Sequence, residues 1–420
     1  MNASAAASVW VVNAYQVTVV VSLLPFASLG EILGYRRIYI CGVAVFTLAS
    51  LVCAVSWSLP TLTVARVIQG FGASGIMSVN TALIRFIYPS NSLGRGVGYN
   101  ALVVAVSTAI GPTVAAGILS VGSWQWLFAI NVPLGLIAFA LALHTLPDTE
   151  RAPYRFDVGS AALNAVTFGC LIFGIGEAAH SASAVVSGTA LTVAVVSGLL
   201  LIRRQLGRQA PILPVDLYRR PMFALSSLTA LCSFAAQGLA FVALPFYFQT
   251  DLGLNAVQTG LLLTPWPVMT AVLAPIAGPL SDRYPPAILG GAGLAILCFG
   301  LALTSGLPNH PGTAGIVWRM MICGAGFGFF QSPNLKAIMS SAPPDRSGGA
   351  SGIVATSRLV GQSVGAALVA LCFSISMPHG PALALALGAV FAGAGSMVSF
   401  SRLAARPVGQ PARDRLKQPG

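Results

Sequence analysis

Ala27-Ser28-Leu29-Gly30-Glu31-Ile32-Leu33-Gly34-Tyr35-Arg36-Arg37 joins two charge-free apolar runs, Val9 to Leu29 and Ile38 to Ser58. Each run has about the 20 residues a helix needs to cross a hydrocarbon core. Charge-poor runs recur to the far end of the chain: Leu62 to Ile84, Gly96 to Ser120, Trp124 to His144, Val158 to Gly176, Val185 to Ile202, Met222 to Phe248, Gly260 to Leu280, Ala287 to Gly306, Ile316 to Leu335, Ser347 to Ser374 and Pro381 to Phe400. These make thirteen spans, the pattern of an all-α polytopic membrane protein. A closed β-barrel would instead show short alternating segments. The mean hydropathy of +0.82 and the 8% of charged residues agree, since an ordinary soluble domain carries roughly 25% charge.

A net charge of +12 would suit a nucleic-acid binder if the basic residues were clustered. They fall in alternate loops instead; only Arg66, Arg319 and Arg358 lie inside spans, and the other set of turns has no Lys or Arg. Basic loops stay in the cytoplasm. The Arg36/Arg37 loop and the C-terminal tail are therefore expected in the cytoplasm, and the turns with Glu177, Asp251, His310 and His379 outside. The charge reports topology, and no nucleic-acid partner is expected. Thirteen spans with a cytoplasmic C-terminus place the N-terminus outside, although Met1 to Ser8 has neither a basic residue nor a signal-peptide start. The expectation is that a preceding span is missing and that the chain is inactive without it.

The seven cysteines all lie in spans at no ligand spacing and read as buried free thiols. His144, His180, His310 and His379 are scattered at span ends. They form no metal or acid–base cluster. Neither a metal, a cofactor nor an enzyme activity is expected. No charged ring or carbonyl filter suggests a channel.

Three motifs point to transport. Glu31, Gly34, Arg36 and Arg37 stand in the first loop, and Leu280-Ser281-Asp282-Arg283 follows the ninth span with a similar order of Leu, small residue and acid. An acid at the end of one helix can dock on the positive N-terminus of another, worth about 0.3–2 kcal/mol. The third span holds Arg66-Val-Ile-Gln69-Gly70-Phe-Gly72. A membrane-embedded arginine is costly and is either functional or tied to backbone carbonyls. The fourth span reads Ser107-Thr-Ala-Ile-Gly111-Pro112-Thr-Val-Ala-Ala-Gly117, in which Pro kinks the helix and small residues admit a neighbour.

With these motifs the chain resembles the fourteen-span drug:proton antiporter branch of the major facilitator superfamily, and within it YebQ-type multidrug transporters. Two bundles with a substrate site between them are implied. Residues 1–147 would form an N-terminal bundle lacking its first helix, 148–220 an inserted helix pair and linker, 221–403 a complete six-helix C-terminal bundle and 404–420 a basic tail. The loop resembles the superfamily signature Gly-x-Leu-Ala-Asp-Arg-x-Gly-Arg-Arg, with Ala27 for the first Gly and Ile32 for the Arg. The resemblance implies that Glu31, Gly34, Arg36 and Arg37, with Asp282 and Arg283, form a conformational gate in which Glu31 meets Ser347-Gly348-Gly349. It implies proton coupling at Arg66 with Gln69, and antiport from the Gly111-Pro112 kink. The coupling Asp of the branch's first helix is absent, and all ten acids sit at span ends or in loops.

A broad-specificity cavity needs deformable apolar and aromatic walls with few polar groups. Trp266, Phe241, Phe330, Gln331, Asn334 and Arg358 are the candidates for it. Trp124 and Trp126 read as an external aromatic belt. The segment Pro211 to Arg220 reads as an interfacial stretch, with Pro breaking the helix and Arg219 and Arg220 facing lipid head groups. The expected activity is proton-driven efflux of small amphipathic or cationic compounds by a monomer in a bacterial inner membrane, its partners being substrate, protons and lipid. The alternatives are a uniporter or importer of a metabolite, or an inactive truncated transporter.

Overall fold

The computed structural model describes residues 5–179, 184–208, 211–308, 311–376 and 379–404. His180, His310, the tail from 405 and the side chain of Pro112 lie outside them. Among the described residues, thirteen helical stretches are long and apolar enough to span a membrane. They are α1 (Ala5–Leu33), α2 (Tyr35–Ala54), α3 (Leu59–Ile87), α4 (Leu93–Val121), α5 (Asn131–Thr145), α6 (Val158–Ala179) and α7 (Ala184–Gln205), followed by α8 (Pro221–Phe246), α9 (Pro265–Arg283), α10 (Pro286–Ser305), α11 (Thr313–Ser341), α12 (Ser347–Ile375) and α13 (Gly380–Ser401). Short turns of helix at Trp126–Ala129 and Ala256–Leu263 lead into α5 and α9.

Local chemistry sets several of these boundaries. Ser58 caps α3 by accepting from the Thr61 N–H while the Thr61 hydroxyl accepts from the Ser58 N–H, with Pro60 in the first turn. Asn255 and Gln258 make the same reciprocal cap at Ala256–Leu263. Between α1 and α2 the chain reverses at Gly34, whose φ of 96° is one that side-chain-bearing residues rarely adopt.

Two bundles arise by repetition of one packing scheme. In the N-terminal bundle α2 crosses α3 where Gly42 faces Gly72 and Gly75; in the C-terminal bundle α10 crosses α11 where Gly293 faces Gly326. A Cβ on Gly72 would stand 2.4 Å from the Phe46 nitrogen and one on Gly326 2.4 Å from the Leu297 nitrogen. Backbones this close admit no side chain, which is how small residues drive helix association in lipid. Likewise α3 meets α1 at Gly70 against Thr18, and α11 meets α9 at Gly324 against Trp266. The α6–α7 pair packs beside α1 and α12.

One part of the scheme differs between the bundles. α8 lies against α12 at Gly361 and Gly365, where added Cβ atoms would be 2.8 Å from Phe234 and 2.5 Å from the Ala235 carbonyl. Gly111 and Gly117 on α4 have nothing within 4 Å of such a Cβ, so the close neighbour implied for the Gly111-Pro112 segment is not present among the described residues.

The stretch from Pro211 folds back under the bundles, with Ile212 and Leu217 buried in the core while Tyr218, Arg219 and Arg220 are exposed. All seven cysteines are free, but not all are buried as expected: Cys53, Cys323 and Cys372 are, Cys170, Cys232 and Cys298 are half-buried, and Cys41 is exposed. Trp126 is exposed, whereas Trp124 packs edge-on to Phe128.

Candidate functional site

The bundles face each other across a cavity of about 330 Å³. Val104, Ala105 and Thr108 of α4 line it on one side. Arg358, Leu359 and Gln362 of α12, Phe234, Gln237 and Phe241 of α8, Trp266, Pro267 and Thr270 of α9, and Phe327 and Gln331 of α11 complete the wall. Four aromatic rings form its apolar part, with Phe241 edge-on to Trp266 at 5.2 Å and Phe234 edge-on to Phe327 at 5.8 Å. Its polar part is a guanidinium, three amides and two hydroxyls. The Gln362 amide donates to Gln237 at 3.0 Å.

Of the six cavity candidates from the sequence, Trp266, Phe241, Gln331 and Arg358 line the cavity. Phe330 and Asn334 do not. Phe327 and Gln331 are four residues apart on one face of α11, and the 3.6-residue period turns Phe330 and Asn334 onto the next face. There Phe330 is buried beside Gly290, and Asn334 donates to the Ser226 carbonyl at 3.1 Å while accepting from Arg402 at 2.9 Å. Gln237, Gln362 and Phe234 were not anticipated. Spans supply many such residues, and only the positions of α8 and α12 against each other single these out.

Below the cavity, the arginine-rich end is closed by two related contacts. Glu31, at the end of α1, accepts the Gly349 N–H with Oε1 at 2.7 Å and the Arg346 guanidinium with Oε2 at 2.5 Å. The Gly348 N–H donates to the Tyr35 hydroxyl at 2.8 Å. The first-turn donors of α12, which have no partner within their helix, are thus taken up by the opposite bundle. On the other flank Asp282, at the end of α9, accepts the Gly94 N–H at the start of α4 at 3.0 Å and Lys336 Nζ at 2.6 Å. Gly94 and Gly98 let α4 touch α9 at Gly278, and Gly348 and Gly352 let α12 touch α1 at Ala27. Each bundle therefore lends one acid to a helix start in the other.

Arg346 extends the first contact. It is buried, and besides Glu31 it binds both Asp216 oxygens, at 2.9 and 3.1 Å, and the Pro211 carbonyl at 2.8 Å. A buried ion pair survives only with its remaining donors satisfied, and this one has them. The linker after α7 is therefore part of the closed end, a feature no motif announced. Arg36 bonds Asp148 and the Leu143 carbonyl, while Arg37 and Arg283 are exposed. That contact and hydrogen bond hold the Asp148 carboxyl below the usual carboxylate range.

Arg66 and Gln69 come together near the other end of the N-terminal bundle. Arg66 Nη1 donates to Gln69 Oε1 at 2.6 Å, Gln69 Nε2 donates to the Ser50 hydroxyl at 2.7 Å, and the guanidinium lies 4.0 Å above the Tyr15 ring. Among the described residues no carboxylate pairs with Arg66.

A model of the Major Facilitator Superfamily matches residues 1–366. The chain is 54% identical over 405 residues to the uncharacterized transporter YebQ of Escherichia coli K12, covering 96% of this chain and 89% of YebQ. It is 29% identical over 366 residues to the multidrug resistance protein Stp of Mycobacterium tuberculosis, covering 86% of this chain and 67% of Stp. Among solved structures the fold is similar to that of the human organic anion transporter MFSD10, with a TM-score of 0.71, 14% identity, and 93% and 83% of the two chains covered. With two helical bundles around a cavity and a family match over most of its length, the chain belongs to the major facilitator superfamily.

Proposed function

We propose that the protein exports small amphipathic compounds from the cytoplasm across a bacterial inner membrane, as a monomer driven by an inward proton gradient. The observation that carries this reading is the pair of acid-on-helix-start contacts at one end of the central cavity, Glu31 on α12 and Asp282 on α4. Such contacts break and re-form as a unit when two bundles rock, which is what alternating access requires. The basic loops surround the closed end, so that end is assigned to the cytoplasm. The name of the multidrug resistance relative supports outward transport of drug-like compounds.

The coupling groups in this reading are Arg66 and Gln69, the guanidinium staying charged and biasing proton movement nearby. Dye loading into inverted vesicles after a pH jump is the test. Uptake is expected only while the lumen is acidic, and Arg66→Ala is expected to abolish it with membrane insertion intact. Dye movement indifferent to the gradient would rule out antiport and favour a uniporter.

A further inference from the structure

Among the described residues, the cavity has a cation and no acid to neutralise it. Arg358 lines it from α12, and its one hydrogen-bond contact among the described residues is a long one, 3.9 Å to the thioether sulfur of Met77. None of the ion pairs among the described residues includes it, and no Asp or Glu is in the cavity wall. The two buried arginines are by contrast fully engaged: Arg346 by two carboxylates, Arg402 by Ser226, Asn334 and Ser399. A half-buried guanidinium in a largely apolar cavity without an acceptor is costly, and the cost is recovered when a ligand carboxylate or sulfonate binds it through two parallel hydrogen bonds. The rest of the wall suits a ring, with Trp266 in ring contact with both Phe241 and Phe327. The buried indole N–H of Trp266 also has no acceptor among the described residues.

We infer that the cavity selects aromatic organic anions, the Arg358 guanidinium receiving the ligand's oxyanion while the Phe241–Trp266–Phe327 cluster holds its ring. This rests on the cavity being the transport site proposed above. It narrows that proposal away from cationic compounds, which would meet Arg358 as a like charge at low dielectric with no carboxylate to receive them.

The experiment uses the full chain in lipid nanodiscs and three probes of one shape: 2-naphthoate, neutral 2-naphthamide and 2-naphthylmethylammonium, with affinities from titration calorimetry. In the unaltered protein naphthoate is expected to bind about tenfold tighter than the amide, as one charge-assisted pair allows, and the ammonium most weakly. Arg358→Gln is expected to bring the naphthoate-to-amide ratio to about one while leaving the amide's affinity within about threefold. Ammonium binding as tight as naphthoate overturns the inference and leaves the transporter reading standing. An unchanged ratio in Arg358→Gln, or a variant that loses all three probes alike, overturns it too, because the arginine is then structural. The ranking in the unaltered chain decides the matter even if the variant does not fold. If none of the probes binds, the cavity is not the substrate site, and both readings fall.

Discussion

At Asn334 and Arg402 a membrane protein handles a buried charge without an acid. Arg402 is 1% exposed, yet its guanidinium meets only neutral acceptors: the Ser226 hydroxyl, the Asn334 amide oxygen, and the carbonyl and hydroxyl of Ser399. Removing one acceptor leaves a charged donor unsatisfied, which costs about 1–3 kcal/mol or more. Asn334→Ala is therefore expected to lower the thermal unfolding midpoint by several degrees in detergent while leaving the affinity of the cavity for a bound probe unchanged. A change in affinity with an unchanged midpoint would return Asn334 to the cavity. The sequence made Arg66 and Arg358 conspicuous, because each stands alone in a span. Arg402 looked like an ordinary basic residue at a span end, and only the packing of α13 against α8 and α10, with Asn334 of α11 within reach, draws it inward.

Whole elements were legible where hydropathy alone decides them, and obscure where partners do. Thirteen spans follow from runs of apolar residues. The burial of the first part of the linker between the bundles was not legible, because its Pro and Arg residues suit a membrane surface as well as a folded strap. What decides it is a distant residue, Arg346, holding Asp216 and Pro211. The inserted pair has its own fastening. Asp157, just before α6, accepts from Ser160 and pairs with Arg204 at 3.1 Å and Arg208 at 2.7 Å at the end of α7. Burial raises its carboxyl pKa, but the Arg204 and Ser160 hydrogen bonds and the Arg208 charge outweigh this and hold it well below the ordinary range. A depressed carboxyl contributes stability above its unfolded value of about 4 and loses it as the pH falls through the folded value. Asp157→Asn should thus loosen the α6–α7 pair, measured as faster proteolysis or hydrogen exchange there. The difference from the unaltered chain should be constant between pH 5 and 8 and should shrink only below about pH 4.

For the molecule as a whole, the repeat is stronger in space than in sequence. Leu29 to Arg37 and Leu280 to Arg283 share little beyond Leu, a small residue and an acid, yet both acids end on a helix start of the opposite bundle. Backbone geometry, set by Gly94, Gly98, Gly348 and Gly352, carries the symmetry that side chains have lost. This arrangement makes a quantitative demand. The two contacts lie on separate flanks and share no residue, so their free energies should add, while both oppose the same opening motion. Each charge on a helix start is worth up to about 2 kcal/mol. Glu31→Gln and Asp282→Asn should each raise the ratio of open to closed molecules about tenfold, and the double variant about a hundredfold. Spin labels on the exposed positions Arg37 and Arg283, one in each bundle, report that ratio as two distances in a double electron–electron resonance experiment. If either single variant opens the basic end as fully as the double, the contacts are not independent, and one acid alone holds the bundles together.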